Sequence, residues 1–303
     1  MAPVAWDYIT VDNTDKNVWA VSSFIREQSG RSFLGVIFPD FVNKKTTVTF
    51  FGNTPVGLEE MYLESPDALI VWDYLSGIYE RVGYPGVARV TNYSFEGKDK
   101  HFDFFGRLIG KTMRADFLIK RGQAKMAAFL AEAQTTQKEV NFVVLTEGAA
   151  SIFPNFPEFN RTVKLFQAKN LGENLIFIRG LNLETLIGLD PEVIFLYNDG
   201  FSSVSEIYGR PGFKSLRAVR QRKVYLMPSG VSRMEGPVER PILYNWIFCL
   251  LHPKNDGLCS LRPIIAETYW TVYGYRMSED DLDQYLNIQE NSLSRNYKKL
   301  FAR

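Results

Sequence analysis

Histidine and cysteine are scarce: the 303 residues contain two of each. His101 and His252 show no paired spacing, so a Zn²⁺ held by side chains is disfavoured. Cys249 and Cys259 make no C-x-x-C motif; they flank a short Pro/Asn/Gly turn, where a bridge and a pair of buried free thiols are both open readings. No apolar run approaches the roughly 20 residues that span a bilayer. The net charge is +1, which gives no broad attraction to nucleic acid or an anionic membrane. There is no G-x-S-x-G, no P-loop and no G-x-G-x-x-G after a strand. Asp103, Glu147 and Asp199 have the chemistry of acid–base groups, but nothing pairs them. Residues Met1 to Trp6 carry no basic segment followed by an apolar one, so no secretory signal is read there.

Aromatic residues are plentiful, at 14%, with 23 Phe and 15 Tyr. Most must form core; some can line a cleft for a flat or bulky ligand. Tyrosine is abundant enough to leave a Tyr-ligated haem open. Short strand-like runs at 18–21, 34–38, 46–51, 68–72 and 87–90 alternate with helical segments, as in a mainly parallel sheet covered on both faces. Residues 1–17 read as an edge strand or loose arm. The alternation resumes at 140–145, 193–197 and 223–227, with C-terminal helices at 240–251, 264–273 and 279–286.

Between them no proline interrupts the chain from Pro85 to Pro154. Phe105, Ile109, Met113 and Phe117 step by four, beside Leu108 and Leu118, the stripe of a helix buried on one side. One helix is expected from Phe104 to Glu132, capped by Asp103 and weakened locally by Gly106, Gly110 and Gly122. It would reach roughly 43 Å, long enough to join two lobes. The expected organisation is therefore an N-terminal α/β lobe over 1–103, an interlobe helix over 104–133 and a C-terminal α/β lobe over 134–303. The plainer alternative is a crossover helix inside a single α/β domain.

Two segments match without gaps at an offset of 125. Leu58-Glu59, then Pro66 to Asp73, aligns with Leu183-Glu184, then Pro191 to Asn198. Each reads as a short helix, a Pro-acidic turn and a buried strand. An interval this long suggests two similar lobes, since solenoid repeats recur every 20 to 50 residues or so. Glu59 and Glu184 fall at equivalent places near the start of a surface helix. The helix dipole favours a carboxylate there; a pair of acidic knobs for a two-fold symmetric partner is the sharper reading.

The second half adds Ala218-Val219 followed by Val224-Tyr225, Trp246 in a helix ending at His252-Pro253, and Tyr273-Gly274-Tyr275. With the repeated Leu-Glu and Pro-acidic segments and the long helix, this order and spacing resembles the class III periplasmic solute-binding proteins of ABC importers for iron-siderophores, haem and cobalamin. The resemblance runs from about residue 18 to 287. The chain departs from it in lacking a signal or lipobox, in a first lobe shortened near 22–35, and in a tail beyond Asn287. The resemblance implies two Rossmann-like lobes with mainly parallel sheets, joined by one long rigid α-helix, with the ligand in the cleft between them. It implies an extracytoplasmic, monomeric protein with no enzymatic activity and no resident cofactor. The partner is an ABC transporter permease dimer, bound through Glu59 and Glu184, and the small-molecule ligand is a metal chelate.

Open α/β sheets bind ligands beyond the carboxyl ends of their strands. The candidates there are Ser22, Ser23, Trp72 and Tyr74 in the first lobe, and Glu147, Tyr197, Asp199, Arg233 and Arg240 in the second. Arg233 is the leading anion contact, because a guanidinium grips a carboxylate or oxyanion in a bidentate fork. An ion pair of Arg233 with Glu235 or Glu239 is the plain alternative. The expected cargo is an iron complex bringing its own ligands, such as a ferric siderophore. Molybdate, haem and cobalamin are alternatives within the class, and a bilobal tetrapyrrole chelatase is the alternative outside it. A histidine set beside a carboxylate in the cleft would favour the chelatase.

Overall fold

The computed structural model describes residues 5–30, 32–48, 58–81, 83–91, 97–133, 138–146, 149, 151–152, 157–175, 183–198, 203–231, 234–253 and 258–302. The chain divides into two compact units: Met1–Arg121 with Gly230–Pro237, and Gly122–Ser229 with Val238–Arg303.

In the first unit the order is α1 (Ala5–Asp12), β1 (Ala20–Ser22), α2 (Ser23–Ser29), α3 (Phe33–Ile37), β2 (Lys45–Val48), α4 (Leu58–Glu64), β3 (Leu69–Trp72), α5 (Asp73–Arg81), β4 (Val87–Val90) and α6 (Lys98–Leu108). β1 pairs with β2 and β3 with β4, both in parallel. Two expectations fail here. Residues 5–12 are not an arm or edge strand but a helix buried along its whole length. Asp7, Thr10 and Asp12 made it look solvated, yet each has a polar partner: Asp7 meets Lys98 and His101, Asp12 meets Lys111, and Thr10 bonds the Trp6 carbonyl. The 34–38 run is helical, not extended. A Cβ on Gly35 would stand 2.4 Å from the Ser29 carbonyl oxygen, so the chain doubles back where only glycine fits.

The long helix also needs correction. α6 ends at Leu108, and α7 runs from Thr112 to Glu132. Gly110 takes a left-handed φ of 71°, and the Lys111 amide bonds back to the Gly106 carbonyl, which closes one helix before the next begins. The break resets the phase of the stripe. Phe105 and Leu118 are buried, whereas Met113 is 87% and Phe117 47% exposed. The buried face of α7 is instead Ala115, Leu118, Gly122, Phe129 and, just beyond its end, Ala133. α7 remains the longest helix among the described residues and carries the chain over the unit boundary after Arg121.

The second unit contains β5 (Val140–Thr146), β6 (Ser151–Ile152), α8 (Pro157–Lys164), β7 (Ala168–Asn170), α9 (Leu183–Leu189), β8 (Val193–Leu196), α10 (Val204–Gly209), α11 (Arg217–Arg220), β9 (Val224–Leu226), α12 (Arg240–Leu251), α13 (Leu261–Tyr273), α14 (Glu279–Tyr285) and α15 (Tyr297–Phe301). β7, β5, β8 and β9 are parallel neighbours, and short β6 pairs antiparallel to the end of β5. Val143, Leu145, Ile194 and Leu196 are fully buried in one apolar cluster, as expected of parallel strands covered by helices. Trp246, on the apolar α12, donates its indole N–H to the Tyr297 hydroxyl at 2.9 Å. Cys249 and Cys259 form a disulfide that ties the end of α12 to the approach of α13.

The tail beyond Asn287 covers the outer edge of β9. Asn291 accepts from the Leu226 amide at 2.7 Å and donates to its carbonyl at 2.9 Å; Ser294 donates to the Val224 carbonyl. The fold class expected from the sequence, α/β with mainly parallel sheets in two units and a long helix between them in the chain, is the one observed.

Candidate functional site

The repeat is visible in the backbone. α4 and α9 are seven residues each, and each ends at a non-glycine residue with positive φ, Ser65 at 45° and Asp190 at 39°. At the same offset of 125, Met61 and Leu186 are buried, and Tyr62 and Ile187 are each 45% exposed. Glu59 and Glu184 are the second residues of their helices, and both are exposed. β3 and β8 follow in separate sheets, one in each unit. A local sequence likeness has thus produced the same helix, turn and strand twice.

At the carboxyl edge of the first unit, Ser22 ends β1, and its buried hydroxyl accepts the Ile25 amide at 3.3 Å as the cap of α2. Ser23 follows, half-buried, as the first residue of that helix. Trp72 ends β3 and is buried, its ring 5.9 Å from the ring of His101. Tyr74 lies in α5; its side chain is outside the described residues.

Beside Trp72 stands a polar cluster that the sequence reading missed. Asp7 Oδ2 accepts from Lys98 Nζ at 3.0 Å and lies 2.7 Å from His101 Nδ1. His101 Nε2 is 2.9 Å from the carbonyl of Thr91, just beyond β4. Lys98 also reaches Glu235 at 3.6 Å. Asp7 and His101 are each 1% exposed. Burial by itself raises the Asp7 pKa, but the positive charge of Lys98 and the hydrogen bond from His101 outweigh it and hold the carboxyl below its ordinary range. A histidine beside a carboxylate was the feature that would have favoured a chelatase. This one is sealed from solvent, with both ring nitrogens facing partners, so it offers no lone pair to a substrate. Lys98 and His101 stand three apart on one face of α6, a spacing visible in the sequence; Asp7, 91 and 94 residues away, gave no signal.

In the second unit Tyr197 follows β8, is buried, and donates its amide to the Leu145 carbonyl at 2.8 Å. Arg240 opens α12 and is buried, its guanidinium 3.2 Å from Glu158. Glu239 before it is fully buried and accepts from the Tyr269 hydroxyl, whose pKa is driven well up, first by burial and then by that carboxylate. Glu147, Asp199 and Arg233 lie outside the described residues. The neighbours of Arg233 belong to the first unit, where Val231 and Met234 are buried and Glu235 meets Lys98. His252 is buried with Nε2 2.8 Å from the Phe166 carbonyl, and burial lowers its pKa, as befits a structural residue. No group of three or more potential metal-ligating side chains is found among the described residues.

No protein-family model matches the chain, and no curated protein sequence matches it significantly. Solved structures do. A periplasmic solute-binding protein from Veillonella parvula DSM 2008 superposes with a TM-score of 0.80 at 22% identity, covering 96% of this chain and 91% of that one. The molybdate-bound periplasmic binding protein of a Haemophilus influenzae ABC transporter matches at 0.73 and 15% identity, over 91% and 92%. A Helicobacter pylori protein in a nickel–histidine complex matches at 0.71 and 14%, over 93% and 90%. The fold is therefore the one these solved structures share, and it is the fold that the sequence resemblance implied.

Proposed function

We propose that the protein is an extracytoplasmic solute-binding protein of an ABC importer that captures an iron complex, such as a ferric siderophore, and delivers it to the permease. The observation that carries this reading is the recurrence, once in each unit, of the same helix–turn–strand element with an exposed glutamate at the same position, within a fold shared with periplasmic binding proteins. Glu59 and Glu184 are the permease contacts in this reading. A transporter dimer offers two copies of one basic pocket, and two matching acidic knobs complement it. The disulfide between Cys249 and Cys259 agrees with an oxidising, extracytoplasmic compartment.

The ligand contacts belong to the carboxyl edges of the strands: Ser23 and Tyr74 from the first half of the chain, and Glu147, Asp199 and Arg233 from the second. Ser22, Trp72, Tyr197 and Arg240 act behind them, because their polar groups or rings are engaged in the fold. The metal comes inside its own chelate, which suits a protein whose two histidines are both buried against fixed partners. No bond is made or broken; the work is selective capture and release.

A second cargo, an oxyanion such as molybdate, is favoured by the likeness to the molybdate-bound protein and by Arg233. Tryptophan fluorescence titration against ferric siderophores, haemin, cobalamin and molybdate separates the two. Saturable quenching by a ferric siderophore alone supports the iron reading. A response to molybdate alone transfers it to the oxyanion, and no response to any of them rejects the proposal.

A further inference from the structure

The first unit holds a cavity of about 490 Å³ that no step of the transport reading uses. It lies between Tyr8 of α1, Trp19 and Ala20 at the start of β1, Met61 of α4, and Leu108 and Ile109 at the end of α6. Ala20 and Leu69, the first residues of β1 and β3, both line it. It therefore opens at the amino edge of these strands, whereas Ser22 and Trp72, their last residues, mark the opposite edge where the main ligand is expected.

Its walls are pre-formed. Asp12 is buried and accepts from the Tyr8 hydroxyl at 3.0 Å, from Asn17 Nδ2 at 2.9 Å and from Lys111 at 2.5 Å. These bonds fix Tyr8 and Asn17 along one side. Leu108, 44% exposed, presents apolar surface at the other. Asp67 stands at the rim, exposed, with no hydrogen bond or ion pair among the described residues. No lysine or arginine is found among the described lining residues. The ring of Trp19 already has Lys45 Nζ 5.6 Å over it, so the charge contact falls to Asp67: apolar and aromatic walls with one exposed carboxylate at the rim suit a ligand with an apolar body and a single positive charge. The same charge disfavours anions.

We propose that this cavity is a second binding site, for a small aromatic or aliphatic primary amine, with Asp67 as the charge contact and Tyr8, Trp19, Met61 and Leu108 as the walls. The site is independent of the transport reading and of any cargo at the carboxyl edge.

Calorimetric titration of the full chain with tryptamine, indole and indole-3-acetate tests it. Tryptamine should bind saturably, indole more weakly and indole-3-acetate not at all. Asp67→Asn should weaken tryptamine by about three- to fivefold, the size of an exposed ion pair, and leave indole unchanged. Leu108→Trp, which places a larger side chain at the mouth, should abolish binding of both while the melting temperature holds. The proposal is overturned if tryptamine shows no saturable binding at millimolar concentration, if indole-3-acetate binds as tightly, or if Asp67→Asn makes no difference. Should Leu108→Trp fail to fold, the Asp67 variant and the charge series decide alone.

Discussion

The two units enclose the same helix–turn–strand element and bury it by different means. In the first, the described strands form two separate two-stranded ladders, and buried charges do much of the joining: Asp7 to Lys98 and His101, Asp12 to Lys111. In the second, a single sheet buries an apolar cluster, Asn291 satisfies its last strand, and the buried Glu239 and Arg240 pair with Tyr269 and Glu158 away from that cluster. The element itself is specified by nearby residues, since Met61 and Leu186 are buried and Glu59 and Glu184 exposed in both contexts. How its surroundings are stabilised is specified separately in each unit.

That contrast can be broken at its strongest points first. Asp7→Ala leaves Lys98 and His101 buried without their carboxylate and should cost about 3–5 kcal/mol, as for other broken buried pairs. Trp246→Ala should cost a similar roughly 3–5 kcal/mol in the second unit, by cavity formation and loss of the Tyr297 bond. Chemical denaturation of each variant reads both numbers. A cost under about 1 kcal/mol for Asp7→Ala would mean that burial of these charges is not structural at all. Asn291→Ala strands the amide and carbonyl of Leu226 and should cost about 2–3 kcal/mol. Faster hydrogen exchange confined to β9 would locate the damage, and unchanged exchange there would refute the edge role.

Acid should separate the units further. Asp7 has a folded pKa below its ordinary 3.8, so its contribution is present above that value and is lost as pH falls through the folded pKa. His252 is also depressed, from 6.5, because burial disfavours the charged ring. Its contribution is full above 6.5 and declines as pH falls from there through the lower folded value. Hydrogen exchange followed against pH should show second-unit protection declining from about pH 6.5, with His252→Phe removing that slope. An unchanged slope would assign the loss to another group. The smallest effect on stability should come from reversing Glu59 and Glu184 to lysine. Exposed sites of this kind cost within about 0.5 kcal/mol, and ligand affinity should hold while uptake is abolished. Lost affinity with intact uptake would remove these residues from the docking surface.

Periodicity made some elements legible. Arg240 to Leu251, apolar around Trp246, is a helix over the residues expected, and the 125-residue offset foretold a shared local structure. Where the reading failed, it failed on information that lies elsewhere in the chain. Helix α1 looked solvated because its acidic residues find their bases 91 to 99 positions later. The stripe through Met113 and Phe117 looked continuous because a periodic pattern carries no sign that Gly110 resets its phase. Of the candidate site, the strand-end positions were legible, and so was a helix cap at Ser22-Ser23, but not that Arg240 faces Glu158.

By itself, then, the sequence determined the class of fold, the duplicated element and the exposed glutamate each copy carries. These depend on side-chain alternation and turn chemistry within a few residues. Tertiary structure alone decided which of the described polar groups are spent on the fold. Burial and pairing are set by residues far apart in the chain, and a charge's role depends on what it finds there.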